Sequence, residues 1–414
     1  MPFQHRVVIT GLGVVTALGF DPDTLWQNLV AGRSGVRLIR SFDTTDQAAK
    51  IAGEVDFDPE QYIDPKEAKR LDRFTQFAMV ASMGAVKHAG LDFSKEDCSR
   101  CGVTVGSGIG GLSTIETEHR RLLERGARRV SPLMIPKLMI NAGSGQVSIH
   151  FGLLGPNFAV ASACASAAHA IGEAFHIVAR GEADVMLTGG AEAAVTPLAV
   201  AGFCTQKALS TRNDEPEKAS RPFDRDREGF VLAEGAGILV LEEYEHARRR
   251  GANIMAEFLG FGASADSYNI VAPHPEGTGA MLAMKAGLKS AGLNPEEVSY
   301  INAHGTGTPL GDEVETIAIK KAFGDFAYKV PISSTKSMLG HLLGASGGAE
   351  IVATVQSVAH DVIHATINLD NADPKCDLDY VPLQPRSANV KVALCNSFGF
   401  GGHNATMVVG KLRN

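Results

Sequence analysis

No apolar run in this 414-residue chain reaches the roughly 20 residues that cross a bilayer as a helix, so no transmembrane helix is expected. Positive charge is not in excess either. With 39 Lys and Arg against 46 Asp and Glu, the formal net charge of -7 gives the chain no general attraction to nucleic acid or an anionic membrane. Six cysteines (Cys98, Cys101, Cys164, Cys204, Cys376, Cys395) lack framework spacing, which in a chain of this size reads as reduced thiols rather than disulfides. Cys98 and Cys101 form a lone CxxC; with no second pair and no histidine pair nearby, the donors of a zinc site are missing. The start MPFQHRVVITGLG reads as a first strand, not a signal or transit peptide. The simplest reading is a cytoplasmic protein.

Glycine is abundant instead: 45 residues, clustered beside apolar runs as in Gly106-Ser107-Gly108 and Gly399-Phe400-Gly401-Gly402. Such clusters mark tight turns or close backbone approach. Apolar β-rich runs alternate with helical patterns along the whole chain. Strands are expected at Val7–Thr10, Gly102–Val105, Phe158–Ala161, Val185–Thr188 and Ile238–Leu241. A second succession places strands near Met255–Gly260, Tyr300–Ala303, Pro331–Ser334, Val390–Cys395 and Ala405–Val409. Helices are expected at Phe74–Ala89, Ala165–Arg180, Glu243–Arg250, Gly279–Ala291, Glu313–Phe323 and Ala349–Ala359. This is an α/β protein with sheets covered by helices. The two similar successions, split near residue 250, suggest a duplicated unit whose halves share a core. Alternation alone leaves the strand order open.

Cys164 lies in Ala161-Ser162-Ala163-Cys164-Ala165-Ser166-Ala167-Ala168-His169, where a β run ends and a helix of small residues begins. Unpaired N–H groups and the positive end of the helix dipole favour a thiolate there. The segment by itself fits a nucleophile and a buried structural cysteine equally well. His304, in Ala303-His304-Gly305-Thr306-Gly307-Thr308, and His341, five residues after Lys336, follow two further strands, an uncommon setting for core histidines. His88, His176, His246 and His360 lie in or beside helical segments and read as solvated or structural, and His169 as a structural hydrogen-bonding residue. A thiol with two imidazoles suits thioester chemistry: the cysteine carries an acyl group, and imidazole N–H groups stabilise an enolate oxygen. Glu350 neutralises Lys336 if the intervening turn folds back.

The chain resembles the elongating β-ketoacyl-acyl-carrier-protein synthases of type II over essentially its whole length. Ordered motifs carry the resemblance: ITGLGVVTALG (9–19), GSGIGG (106–111), ASACASAAHAIG (161–172), STRND (210–214), SRPFDRDREGFVLAEGAG (220–237), AHGTGTPLGD (303–312), STKSMLGHLLGASGG (334–348) and NSFGFGGHN (396–404). The resemblance implies a thiolase-like fold, a duplicated α/β unit in five layers, as one ketosynthase domain over 3–411 with halves 1–252 and 253–414. It implies that Cys164 is acylated, that His304 and His341 serve decarboxylation and condensation, and that Lys336 and Glu350 form a pair beside them. The N–H groups of Cys164 and Phe400 match the oxyanion hole, and Gly399, Phe400, Gly401 and Gly402 a gate. Thr306 and Thr308 match threonines that hold a phosphopantetheine arm, and Ile109 a residue of the acyl tunnel. No cofactor of the enzyme's own is implied; 4′-phosphopantetheine arrives on the carrier, and some relatives bind a structural monovalent cation.

The implied partners are acyl- and malonyl-loaded acyl carrier protein and a second copy of the chain. Lys66, Lys69, Arg70, Arg128, Arg129 and Lys207 occupy regions that dock the acidic carrier in relatives. His403 departs from the threonine usual after the glycine pair. Rival readings are synthase I, a polyketide ketosynthase and, without catalysis, a chain-length factor, which lacks the nucleophile. A degradative thiolase would use a second cysteine as base, for which Cys395 is the late candidate. An initiating synthase would carry an asparagine where Lys336 and His341 stand.

Overall fold

The computed structural model describes residues 5–413. Ten strands build its main sheet: β1 (Val7–Val15), β2 (Cys101–Gly106), β3 (Asn157–Val160), β4 (Val185–Glu192) and β5 (Gly235–Glu243), then β6 (Ala256–Ala265), β7 (Tyr300–Asn302), β8 (Ile332–Ser333), β9 (Val392–Gly399) and β10 (His403–Gly410). Their spatial order is β8-β7-β9-β10-β6-β1-β5-β4-β2-β3. Counted from its outer edge, each half runs third, second, fourth, fifth, first. In both halves the outer three strands are parallel and the inner two antiparallel. The duplication expected from the two successions is thus a repeated topology.

Five helices complete the layers. α1 (Arg73–His88) covers the first half-sheet, while α3 (Thr278–Ala291) and α4 (Pro309–Phe323) cover the second. α2 (Ser166–Ala179) and α5 (Ser346–His360) pack on strands of both halves and form the central layer. Buried on nearly every face, α5 is apolar and small almost throughout, as a helix between two sheets must be.

All ten expected strands occur, and the differences lie in their lengths. β1 continues past the expected end at Thr10 through Gly11 and Gly13 to Val15. A Cβ at Gly13 would lie 1.9 Å from the Ala81 carbonyl oxygen, so this glycine lets α1 press directly onto the strand. The helix Leu112–Arg125 was not expected; in its run of charged and polar residues only Thr114 and Glu118 are buried.

Ladder bonds between the half-sheets are confined to β1 and β6, where Val7, Val8 and Ile9 pair with Phe258, Glu257 and Ala256. Glu257, 1% exposed at this seam, accepts bonds from Arg6 (Nε 3.0 Å, Nη2 2.8 Å) and Arg413 (Nη2 3.0 Å). Burial opposes its ionisation, but the bonds from Arg6 and Arg413 prevail and hold the carboxyl down at about 2. A depressed carboxyl stabilises the fold above its unfolded pKa and loses that contribution as pH falls through the folded one. Glu257→Gln should therefore lower the melting temperature at pH 7 by roughly 3 °C for a chain this long. The gap to wild type should close as pH drops from about 4.3 toward 2, as thermal melts across that range would reveal.

Candidate active site

The chain leaves β3 and turns sharply before α2, and Cys164 sits on that turn. Ala163 has a φ of +49°, a left-handed conformation costly for a residue with a Cβ. The turn is held by Ser166 Oγ, which donates to the Ala163 carbonyl (2.7 Å) and accepts from the Ser162 N–H (2.9 Å). Cys164 is 7% exposed and packs in an apolar cluster with Val195, Phe230 and Leu343, against which Ile109 also packs.

His304 follows β7, and His341 follows the short helix Lys336–Leu339 beyond β8. Their rings meet edge to face with centroids 5.3 Å apart. Both line one cavity with Cys164, Phe398, Gly399 and Phe400, about 500 Å³ in volume and predominantly apolar. The chain does fold back after His341. Lys336, 1% exposed, forms a close ion pair with Glu350 on α5, and its Nζ lies 3.3 Å from His304 Nδ1.

A lysine ammonium has hydrogens to donate and no lone pair, so His304 Nδ1 accepts and its proton sits on Nε2. His341 Nδ1 lies 2.8 Å from Ser346 Oγ, a hydroxyl that suits either tautomer. Burial, joined by the Lys336 charge, pushes both imidazoles well below their ordinary pKa. Both are neutral at pH 7.

The thiol behaves differently from the expectation of a ready thiolate. α2 begins only at Ser166, and burial pushes Cys164 up to about 11. The Lys336 charge and the N–H groups of Phe400 and of Cys164 itself oppose this without overcoming it. Those same two N–H groups face the sulfur, the arrangement that would hold an oxyanion formed there.

Gly399 to Gly402 form the tight turn between β9 and β10, closed by the Gly402 N–H donating to the Gly399 carbonyl at 3.1 Å. Gly401 and Gly402 have φ of +82° and +72°, and a Cβ at Gly399 would lie 3.1 Å from Cys164 N. Phe400 is carried at the tip, against the nucleophile turn. The neighbouring loop pins it: Gly401 N–H donates to Ile270 O (2.7 Å) and Asp266 N–H to Gly402 O (2.9 Å). His403 is exposed, its ring centroid 6.5 Å from that of His169, whose Nδ1 bonds Ser162 Oγ at 2.8 Å.

Thr306 and Thr308 line the cavity and share a 3.0 Å hydroxyl contact; Thr308 also caps α4 by accepting from Gly311 N–H. Lys207 reaches the cavity, while Lys66, Lys69, Arg70, Arg128 and Arg129 lie exposed outside it. Cys395 is fully buried in β9, in the core cluster between the sheets rather than on the cavity wall. Cys98 and Cys101 donate to the Phe93 and Asp97 carbonyls, and among the described residues no group of three or more His, Cys, Asp or Glu is placed to hold a metal ion.

Two buried carboxylates that sequence reasoning missed hold the His304 loop. Glu315 accepts from the N–H groups of His304 (2.8 Å) and Gly305 (2.7 Å), and Asp312 from those of Thr306 and Gly307 (3.1 Å each). Burial pushes Glu315 up to about 7 and Asp312 to about 6. Their spacing on α4 puts both on the face toward the loop, a signal that motif reading passed over.

A buried thiol faced by two backbone N–H groups, beside paired neutral imidazoles on a duplicated five-layer fold, has the geometry of a condensing enzyme of the thiolase-like class. Residues 4–247 match the family described as beta-ketoacyl synthase, N-terminal domain, and 255–370 its C-terminal domain. The 3-oxoacyl-[acyl-carrier-protein] synthase 2 of Synechocystis sp. is 53% identical over 409 residues, covering 99% of this chain and 98% of the relative. The Vibrio cholerae protein of the same name is 49% identical, covering 98% and 99%. Among solved structures, a beta-ketoacyl synthase from Burkholderia phymatum superposes with a TM-score of 0.92 at 38% identity, covering 99% of this chain and all of that one. A type II polyketide ketosynthase, solved with its acyl-carrier protein and a hexaketide, gives 0.93 at 33% over the full length of both. This chain belongs to the beta-ketoacyl synthase family. It is an acyltransferase that makes 3-oxoacyl thioesters by forming a carbon–carbon bond.

Proposed function

We propose that this condensing enzyme elongates fatty acyl chains as a 3-oxoacyl-[acyl-carrier-protein] synthase, with Cys164, His304 and His341 as its catalytic residues. The observation that carries the reading is the single cavity into which both halves of the chain deliver these three side chains.

In the first stage the Cys164 sulfur attacks the carrier-bound thioester. The new S–C bond forms as the carrier sulfur leaves, and the thiol proton ends on that sulfur. His341 can relay it, because Ser346 leaves its Nε2 free to accept. The N–H groups of Cys164 and Phe400 hold the tetrahedral oxyanion. In the second stage malonyl-carrier loses carbon dioxide, and the resulting enolate oxygen is held by Nε2–H of His304 and His341. The carbanion attacks the Cys164 acyl carbon, the C–S bond breaks, the departing Cys164 thiolate takes a proton from water, and 3-oxoacyl-carrier is released.

Lys336, paired with Glu350, fixes the His304 tautomer. Thr306 and Thr308 hold the phosphopantetheine arm, Ile109 bounds the acyl chain, and the turn Gly399, Phe400, Gly401, Gly402 opens to admit it. No resident cofactor is needed. Glu350 Oε2, buried with no hydrogen-bond partner, offers an oxygen to a structural monovalent cation.

Lys66, Lys69, Arg70, Arg128, Arg129 and Lys207 dock the acidic carrier. The chain acts as one ketosynthase domain over 3–411, in halves 1–252 and 253–414; residues 1–4 and 414 lie outside the described residues. It works as a cytoplasmic homodimer. The unpaired edge of β3, with exposed Ile135, Ile149, Leu154 and Phe158 in the same stretch, supports pairing with a second copy. No helix among the described residues is long and apolar enough to cross a membrane.

Incubation with acyl-carriers of rising chain length, saturated and cis-unsaturated, tests the reading. Mass spectrometry should find a fatty acyl adduct on Cys164, and malonyl-carrier should convert it to the 3-oxoacyl product. A preference for polyketide starters and their carriers would replace the fatty acid assignment with a polyketide one.

A further inference from the structure

Glu192, at the end of β4, is fully buried, and among the described residues no Lys, Arg or His side chain bonds it. Its carboxylate accepts four bonds instead. Oε1 takes Ser107 Oγ (2.8 Å) and Ile109 N–H (3.2 Å); Oε2 takes Gly108 N–H (2.7 Å) and Gly344 N–H (3.0 Å). Two of the glycines are explained by it, since a Cβ at Gly108 or Gly344 would lie 2.9 Å or 2.6 Å from Oε2. The two loops so joined come from opposite halves of the chain, and each carries one apolar cavity-wall residue, Ile109 and Leu343. Leu343 itself is in the left-handed region, at a φ of +49°. Such a conformation persists only where its surroundings enforce it.

We infer that Glu192 is a positioning residue for acyl-chain acceptance: one buried carboxylate holds the Ile109 and Leu343 walls apart so that a long chain can enter beside Cys164. The inference rests on the acyl-carrier reading above. Ile109 and Leu343 face an apolar cavity, and without their backbone anchor burial drives both inward to fill it. A short acyl group needs little of that space. Malonyl decarboxylation at the histidine pair needs none.

Glutamine is not a neutral replacement here, because every partner of the carboxylate donates. Its oxygen keeps Gly108 and Gly344 only by turning the NH2 toward Ser107 and Ile109. The Ser107 hydroxyl can rotate to accept; the Ile109 N–H cannot. Glu192→Gln thus frees the Ile109 wall alone, and Glu192→Ala frees both.

The experiment measures acylation of Cys164 by acetyl- and dodecanoyl-carrier, with release of carbon dioxide from malonyl-carrier, in wild type, Glu192→Gln, Glu192→Ala and Ser107→Ala. Glu192→Gln should lose about tenfold in dodecanoyl transfer, the scale of a missing bond to a charged acceptor, with acetyl transfer and decarboxylation within about threefold of wild type. Glu192→Ala should lose more. Ser107→Ala, which removes a single donor and threatens folding least, should shift the same ratio by about twofold to threefold. Equal losses at both chain lengths, or an unchanged ratio in Ser107→Ala and Glu192→Gln, would discard the role of Glu192. Failure of wild type to acylate at all would instead discard the acyl-carrier reading beneath it.

Discussion

Replacing Cys164 with alanine is expected to abolish the acyl adduct and lower condensation by roughly a millionfold, the scale of losing a catalytic nucleophile. Nothing nearby can substitute for the thiol. Ser162 Oγ is engaged by His169 Nδ1, Ser166 Oγ is committed to the turn that holds Ala163, and Cys395 lies on the far side of β9 from the cavity. Decarboxylation should survive, because in the proposed mechanism the enolate is held by His304 and His341, which the substitution does not touch. The two readouts are mass spectrometry for the adduct and carbon dioxide release from malonyl-carrier. Acylation persisting in Cys164→Ala would move the nucleophile elsewhere.

The same thiol titrates high in the resting state, with burial pushing it up to about 11. Alkylation of the free enzyme by iodoacetamide should therefore keep accelerating above pH 9, where a cysteine with an ordinary pKa would have levelled off.

Apolar β-rich runs made the strands of the main sheet legible, because a strand buried on both faces must be apolar along its length; the edge strand β3, more exposed, showed only a short run. What they missed is long-range. The expected strand stopped at Thr10, and only the approach of α1 shows why Gly11 and Gly13 stand within β1. Asp312 and Glu315 show only their three-residue spacing on α4, and Glu192 carries no local mark of its role, since each binds backbone N–H groups, which any residue supplies. Ser107 and Gly344 are both held by Glu192 yet lie more than two hundred positions apart in the sequence. The reactive side chains were easier: a cysteine and two histidines among small residues are conspicuous. The sequence segment of Cys164 promised a favoured thiolate because it shows the helix that follows but not the apolar cluster that encloses the sulfur.

Alanine at His304 or His341 should give the converse of the Cys164 variant: decarboxylation falling by about a thousandfold while acylation is better preserved, in line with removing a donor from a developing charge. His304→Ala should separate the two stages more cleanly. Lys336 commits His304 Nδ1 to accept, so its Nε2 can only donate, which suits an enolate and does nothing for a thiol proton. His341, free to take either tautomer against Ser346, serves both stages, and His341→Ala should slow acylation as well. The pH profile gives an independent check. Both imidazoles are held neutral well below their ordinary pKa, so decarboxylation should show no fall from imidazole protonation between pH 8 and about pH 6.5, the ordinary pKa of histidine. Measured on one preparation, carbon dioxide release and adduct formation that fall together in His304→Ala would contradict the division of labour. A separation confined to decarboxylation in His304→Ala, and spread over both stages in His341→Ala, would trace the difference to a single lysine hydrogen pointing at Nδ1.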